Sequence, residues 1–277
     1  MGVYLFLKNL EVTVSKQIIG VASVLLSIVL GMALGASRTF PFSQKKENEF
    51  ERNMKLATGE ATPIQEGVMT EKQKKHSKLF GDFGLAAQGK KLRELVVERG
   101  DVYLVATVGN VITPRSFNLK DFLHNLTCQA DAVVIGTVKS KASQIIEEGT
   151  FVFTDYELTV TDVLKNNPAA PIVPTNIITY TSPGGAVESN GHVIRAVNRS
   201  RDPLQIGENY LLYLKFIPET GAYKGFSSSR DGDTFQIKNG AVIQASDRLL
   251  PLGTKRSTVA DGFMAEVYAV LSQPCSN

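Results

Sequence analysis

Tryptophan is absent from this chain of 277 residues, and aromatic residues make up only 8% of it. This composition offers little material for the stacking surfaces with which proteins bind nucleic-acid bases. The net charge is +3, with 30 Lys and Arg against 27 Asp and Glu, so the overall balance requires no polyanionic partner. We therefore expect no nucleic-acid partner.

Histidine is scarce, and its spacing excludes the common metal motifs. His76, His124 and His192 are the only 3, and none lies in a His-x-x-x-His or Cys-x-x-Cys pattern that would bring ligands to one ion. The chain also has no Gly-x-Ser-x-Gly segment of the kind that presents a serine nucleophile. The sequence therefore predicts no metal, no cofactor and no catalytic residue, and it indicates a protein that is not an enzyme.

Only 2 cysteines are present, Cys128 and Cys275. In an oxidising compartment they are a candidate disulfide, which would close a loop of 147 residues. The chain-entropy model assigns about 5 kcal/mol of stabilisation to a loop of this length. The other interpretation is a pair of unrelated buried thiols, and the sequence leaves both open.

One long apolar run interrupts the N-terminal region. Ile18 to Ala36 carries no charge, and as a helix it would be about 28 Å long, near the thickness of a bilayer's hydrocarbon core. We interpret residues 1–17 as a short tail and residues 18–36 as a transmembrane helix or uncleaved signal anchor. The expected location is single-pass in the inner membrane, with the C-terminal domain in the periplasm or outside. The alternative is a signal peptide whose cleavage leaves a secreted protein.

Beyond the apolar run, the composition changes along the chain. Residues 37–76 are rich in Lys, Glu, Gln and Thr and are predicted to be a polar linker. Residues 77–127 show helical spacing around a short strand-like segment, which predicts a helical or mixed lead-in region. Residues 128–245 are predicted to form the β domain, and residues 246–277 a C-terminal helix and tail.

In the β domain the apolar period becomes two. Thr154 to Leu164 alternates between apolar and polar residues, as a half-buried strand does. Asn209 to Phe216 is a further strand-like run, and Asn239-Gly240 fits the type I′ turn of a hairpin. Several short strands without intervening helices favour a mainly β fold, a small antiparallel barrel with flanking α-helices.

A resemblance to known proteins is carried by four segments, CQADAVVIGTV, YELTVTDVLKN, PGGAV and PLQIGENYLLYLKF, between about residues 128 and 243. Together they resemble a group of uncharacterised exported bacterial proteins and, at the level of the fold, the OB-like barrel of netrin/TIMP-type modules. The resemblance implies an OB-like barrel. It does not extend to metalloproteinase inhibition, because those inhibitors present a free N-terminal cysteine and Cys128 lies inside the chain.

The stretch TSPGGAVESNGHVIRA, Thr181 to Ala196, concentrates glycine and contains a histidine. Its candidate ligand-binding residues are Gly184, Gly185, His192 and Arg195, in a loop at one mouth of the barrel. The stretch lacks the Gly-Lys-Ser/Thr and the following helix of a phosphate-binding loop. The alternative is that its glycines only bend or turn the chain.

These features favour a membrane-tethered, exported binding or interaction module of the bacterial cell envelope. Its expected partner is an envelope protein or polymer, in addition to the membrane that residues 18–36 would span. Lys and Arg outnumber Asp and Glu between Gly191 and Arg256, which fits an anionic polymer or lipid headgroup, or an ordinary soluble surface. The alternative function is an envelope hydrolase or protease inhibitor whose site is assembled only in the tertiary structure.

Overall fold

The computed structural model of the chain describes residues 64–81, 83, 91–106, 118–198, 203–226, 233–244 and 256–275. This part of the protein is mainly β, as the sequence predicted, with two sheets and four helices. The helices are α1 (Glu71–Lys78), α2 (Leu92–Arg99), α3 (Leu119–Gln129) and α4 (Ala260–Leu271). The strands are β1 (Ile64–Gln65), β2 (Val102–Ala106), β3 (Ala132–Ile145), β4 (Val152–Lys165), β5 (Ile177–Pro183), β6 (Gly185–Ser189), β7 (His192–Asn198), β8 (Asn209–Ile217), β9 (Ala222–Lys224), β10 (Thr234–Lys238), β11 (Ala241–Gln244) and β12 (Arg256–Val259).

The larger sheet has the strand order β12-β11-β10-β8-β3-β4-β5-β9, and β9 also pairs with β8. The strands β3, β4, β5, β9 and β8 are therefore hydrogen-bonded in a closed circuit. Its pairings are antiparallel except for β5–β9, which is parallel and places Tyr180 opposite Tyr223. The strands β10 to β12 extend the sheet beyond β8.

Alternation along β8 separates two apolar clusters. Tyr210, Leu212 and Leu214 face the inside of the circuit, whereas Leu211 and Tyr213 face α3 and α4. The inner cluster is completed by side chains from the other strands of the circuit and from adjoining loops: Ala132, Val134, Val138, Tyr156, Leu158, Val160, Ile172, Ile178, Tyr180, Leu204 and Tyr223. The outer cluster holds the two helices against β8, β10 and β11, with Leu123, Leu126, Phe235, Val242, Phe263, Val267 and Val270 among its members.

A third cluster forms where the β3–β4 hairpin extends beyond the circuit. Both strands are 14 residues long and pair along their length with several register shifts. The smaller sheet, of order β1-β6-β7-β2, packs with α2 on the tip of this hairpin. The buried side chains there include Phe80, Phe83, Leu92, Leu95, Leu104, Phe151, Phe153, Val187 and Ile194.

The folded part of the chain begins earlier than predicted. The linker was predicted to reach His76, but β1 and α1 lie within residues 64–78. The helix begins at a capping box, in which the Thr70 hydroxyl accepts from the Gln73 amide and the Gln73 side chain accepts from the Thr70 amide. Its His76 and Ser77 side chains are buried. The polar composition therefore concealed a docked helix.

The predicted tail and membrane segment, residues 1–17 and 18–36, lie outside the described residues, as does the linker up to residue 63. In the ranges that the structure describes, no helix combines the length and the apolar character needed to cross a membrane.

Candidate functional site

The predicted ligand loop contains the point where the chain passes from one sheet to the other. β5 ends at Pro183 in the larger sheet, and β6 begins at Gly185 in the smaller one. We call Gly184–Gly185 the strand switch. Both residues have positive φ, 102° and 138°, which side-chain-bearing residues rarely adopt. A Cβ on Gly185 would lie 2.2 Å from Thr154 Oγ1, so the close approach also requires glycine.

Buried hydroxyl groups fasten the strand switch to the β3–β4 hairpin. The Thr154 hydroxyl donates to the Gly184 carbonyl oxygen at 2.7 Å. Because its proton is used there, the Ser143 hydroxyl is the donor in the 2.8 Å bond between the Ser143 and Thr154 oxygens. Both side chains are almost completely buried. A hydrogen-bonded pair of this kind fixes the switch at little desolvation cost.

Two cationic side chains lie close to the strand switch. Arg195, next to the register partner of Gly185 on β7, is only 8% exposed. Lys141, two residues before Ser143 on β3, is half-buried. Burial lowers the pKa of Lys141, and the positive charge of Arg195 lowers this pKa further. In the described part of the chain, no carboxylate or hydrogen-bond acceptor contacts Lys141 Nζ. We call Lys141 and Arg195 the cation pair.

The structure brings together three of the four predicted loop residues. Gly184, Gly185 and Arg195 lie at the open end of the β6–β7 hairpin, where Gly185 pairs with Ala196. His192 lies at the opposite, turn end of the same hairpin. Its ring is half-exposed, with Nδ1 3.6 Å from Asp101 Oδ1. His192 therefore belongs to a different surface from the cation pair.

Sequence reasoning missed a hydroxyl–histidine–carboxylate chain. His76 on α1 is fully buried, with Nδ1 2.8 Å from Asp155 Oδ1 and Nε2 2.9 Å from Thr220 Oγ1. Asp155 lies on β4, and Thr220 lies in the turn between β8 and β9. We call these three residues the histidine latch. Asp155 and Thr220 are 79 and 144 positions from His76 in the sequence, so no local motif could have revealed the latch.

The histidine latch has the order of groups found in nucleophilic triads, but its surroundings favour a structural role. Acyl transfer needs free backbone N–H groups that stabilise the developing oxyanion. The Thr220 and Gly221 amides beside the hydroxyl both donate to the Ile217 carbonyl oxygen, at 3.2 Å and 3.0 Å. Lys72 on the same helix donates to the Thr179 hydroxyl on β5 at 2.9 Å. The latch therefore fastens α1 to the circuit.

The two cysteines meet at the helical layer. The structure joins Cys128, near the end of α3, to Cys275, which follows α4, with 5.5 Å between their Cα atoms. This spacing is ordinary for a disulfide. The bridge therefore links the end of α3, just before β3, to the segment that follows α4.

Among the residues that the structure places, no group of three or more His, Cys, Asp or Glu side chains is arranged to hold a metal ion. No model of a known protein family matches the chain, and comparison with the curated proteins finds no similar sequence.

Proposed function

We propose that this protein is an exported binding module of the bacterial cell envelope, anchored in the inner membrane by residues 18–36 and built around an OB-like barrel. Around the closed circuit, β3 pairs with β4, β4 with β5, β5 with β9, β9 with β8, and β8 again with β3. The last two strands of the five, β8 and β9, are thus exchanged relative to their order in the chain. A closed five-stranded arrangement with a filled interior supports an OB-like barrel. Such barrels bind through an outer strand face and adjacent loops rather than through an internal cavity.

The Cys128–Cys275 bridge supports export, because disulfides persist in oxidising compartments. Protease treatment of spheroplasts tests this topology. We expect the C-terminal part of the full-length chain to be digested while the inner membrane is intact. Digestion that begins only after the inner membrane is lysed would contradict an exported domain.

The cation pair is the observation that carries the binding site. The positive charge of Arg195 disfavours the charged form of Lys141, and Lys141 is half-buried without a hydrogen-bonding partner among the described residues. A partly desolvated cation is stabilised when an anion approaches it. We infer that the partner presents an anionic group, as an acidic envelope polymer or protein does, to the surface beside the strand switch.

Titration of the full-length chain with poly-L-glutamate and with inorganic phosphate tests this site. Lys141→Gln is expected to weaken binding at least about threefold, because it removes one close charge. The matched control is Lys139→Gln, which makes the same charge change at an exposed position on the same strand. Equal binding by the two variants would show that the cation pair is not the site.

The alternative of an envelope hydrolase has one observation in its favour, the histidine latch. If Thr220 were a nucleophile, Thr220→Val would abolish turnover of a chromogenic ester while preserving the side-chain volume. We expect the variant and the original protein to show the same background rate, because the neighbouring amides are already hydrogen-bonded to Ile217. A turnover that disappears in the variant would favour the hydrolase.

A further inference from the structure

The Cys128–Cys275 bridge lies at the surface of the helical layer. Cys275 is exposed, and Cys128 is half-buried. Thiol–disulfide exchange requires that an incoming thiolate reach one sulfur, and it proceeds faster when the other sulfur leaves as a stabilised thiolate. The exposure of Cys275 meets the first requirement.

His124 lies one helical turn before Cys128 on α3 and meets the second requirement. Its Nε2 is 3.7 Å from Cys128 Sγ. The other ring nitrogen, Nδ1, is buried and has no hydrogen-bond partner in the described ranges. With a proton on Nε2, the ring can donate to Cys128 once that sulfur carries negative charge.

A lysine side chain offsets the helix dipole at the same place. The C-terminal end of a helix carries partial negative charge and disfavours a thiolate. At the end of α3, the Lys165 ammonium donates to the carbonyl oxygens of Thr127 at 2.8 Å and Ala130 at 2.7 Å. The carboxylate that follows, Asp131, is itself paired with Lys215 at 2.9 Å. Reactive cysteines occur in partly exposed surroundings of this positive character.

We propose that the Cys128–Cys275 bridge is a thiol–disulfide exchange site for a partner dithiol, with Cys275 as the sulfur attacked and Cys128 as the leaving group. A thiolate of the dithiol bonds to Cys275 Sγ, the S–S bond breaks, and its electron pair leaves on Cys128 Sγ. His124 stabilises the Cys128 thiolate by donating a hydrogen bond from Nε2, and the thiolate takes its proton from water. The second thiolate of the partner then displaces Cys275, so the partner is oxidised to a disulfide and this protein is reduced to two thiols.

The full-length Cys275→Ser protein tests the leaving group directly, because it leaves Cys128 as a free thiol beside His124. At pH 7, we expect iodoacetamide to alkylate Cys128 about tenfold faster than an ordinary thiol of comparable exposure. Alkylation should also continue to lower pH than the ordinary thiol pKa of about 8.5 allows. A Cys128 that reacts with the rate and pH profile of an ordinary thiol would overturn the proposal.

The role of His124 is tested by reduction of the oxidised full-length chain with dithiothreitol. His124→Gln keeps a polar side chain of similar size and is expected to slow reduction about tenfold. His192→Gln, a histidine on a different surface, is the matched control and should leave the rate unchanged. Equal rates for His124→Gln and the original protein would refute the assignment. If His124→Gln does not fold, the rate and pH profile of Cys128 alkylation in Cys275→Ser still test the exchange proposal.

Discussion

Replacing Gly185 with alanine tests the close packing at the strand switch. The new Cβ would lie 2.2 Å from Thr154 Oγ1, closer than real Cβ atoms approach another atom, and 3.0 Å from Ser143 Oγ, tighter than most Cβ contacts. Neither hydroxyl can move away without breaking the bonds that join the hairpin to the Gly184 carbonyl oxygen. The alanine would also have to adopt a φ of 138°.

The expected magnitude follows from these two effects. A side-chain-bearing residue in such a conformation costs about 1–3 kcal/mol. Overpacking of a buried site costs about 1–3 kcal/mol more, including the hydrogen bonds that it displaces. We therefore expect Gly185→Ala to lower the free energy of unfolding by about 2–6 kcal/mol, a large part of the stability of an ordinary domain.

Urea unfolding of the full-length chain, followed by circular dichroism, measures this loss. Gly191→Ala is the matched control, because Gly191 has a φ of 75° but no atom within 4 Å of the added Cβ. That change should cost only about 1–2 kcal/mol. In a Thr154→Ala background, Gly185→Ala should cost about 1–2 kcal/mol less, because the nearest atom is gone. If Gly185→Ala and Gly191→Ala cost the same, the argument from close approach is wrong.

Three further predictions concern the latch, a buried tyrosine and the bridge. His76→Ala removes both hydrogen bonds of the histidine latch, so trypsin should cleave α1 well before global unfolding, whereas Lys74→Ala, in the exposed ion pair of the same helix, should not have this effect. Burial raises the pKa of Tyr156 above its ordinary value of 10.0, so the unfolded chain loses this proton first. Stability should therefore fall as pH rises above about 10. Tyr156→Phe should make that fall less steep, which urea unfolding at a series of pH values would reveal. Cys128→Ser or Cys275→Ser should lower the unfolding free energy by about 2–5 kcal/mol, and an unchanged urea midpoint would argue against the bridge.

Local patterns were sufficient for two strands of the closed circuit and for one hairpin beside it. The alternation from Thr154 to Leu164 lies within β4, and the run from Asn209 to Phe216 lies within β8. The turn chemistry of Asn239-Gly240 correctly predicted the hairpin of β10 and β11. These elements are predictable because each residue's face is set by period two and each turn by its own φ requirement.

The smaller sheet was not predicted, although one of its signals was present. Asn190 and Gly191 both have positive φ and form the tight turn between β6 and β7, as Asn239-Gly240 does elsewhere. The glycines of this stretch instead predicted a ligand-binding loop, or a bend or turn of the chain. Its partners explain the difficulty: β1 and β2 come from distant parts of the chain and pair in parallel with β6 and β7. Such pairings leave no trace in local spacing.

The docking of β1 and α1, which lie mostly in the predicted linker, was missed for a different physical reason. β1 and α1 are fastened by polar contacts, whereas the main signal of secondary structure in a sequence is apolar periodicity. Glu66 accepts from the Ser189 hydroxyl at 2.8 Å and pairs with Arg93, which ties the segment to the smaller sheet. His76 ties the same segment to the larger sheet through Asp155. A segment rich in Lys, Glu and Gln has the composition of a linker whether its polar groups face water or each other. Only the three-dimensional positions of their partners distinguish the two cases, and here those partners lie on both sheets.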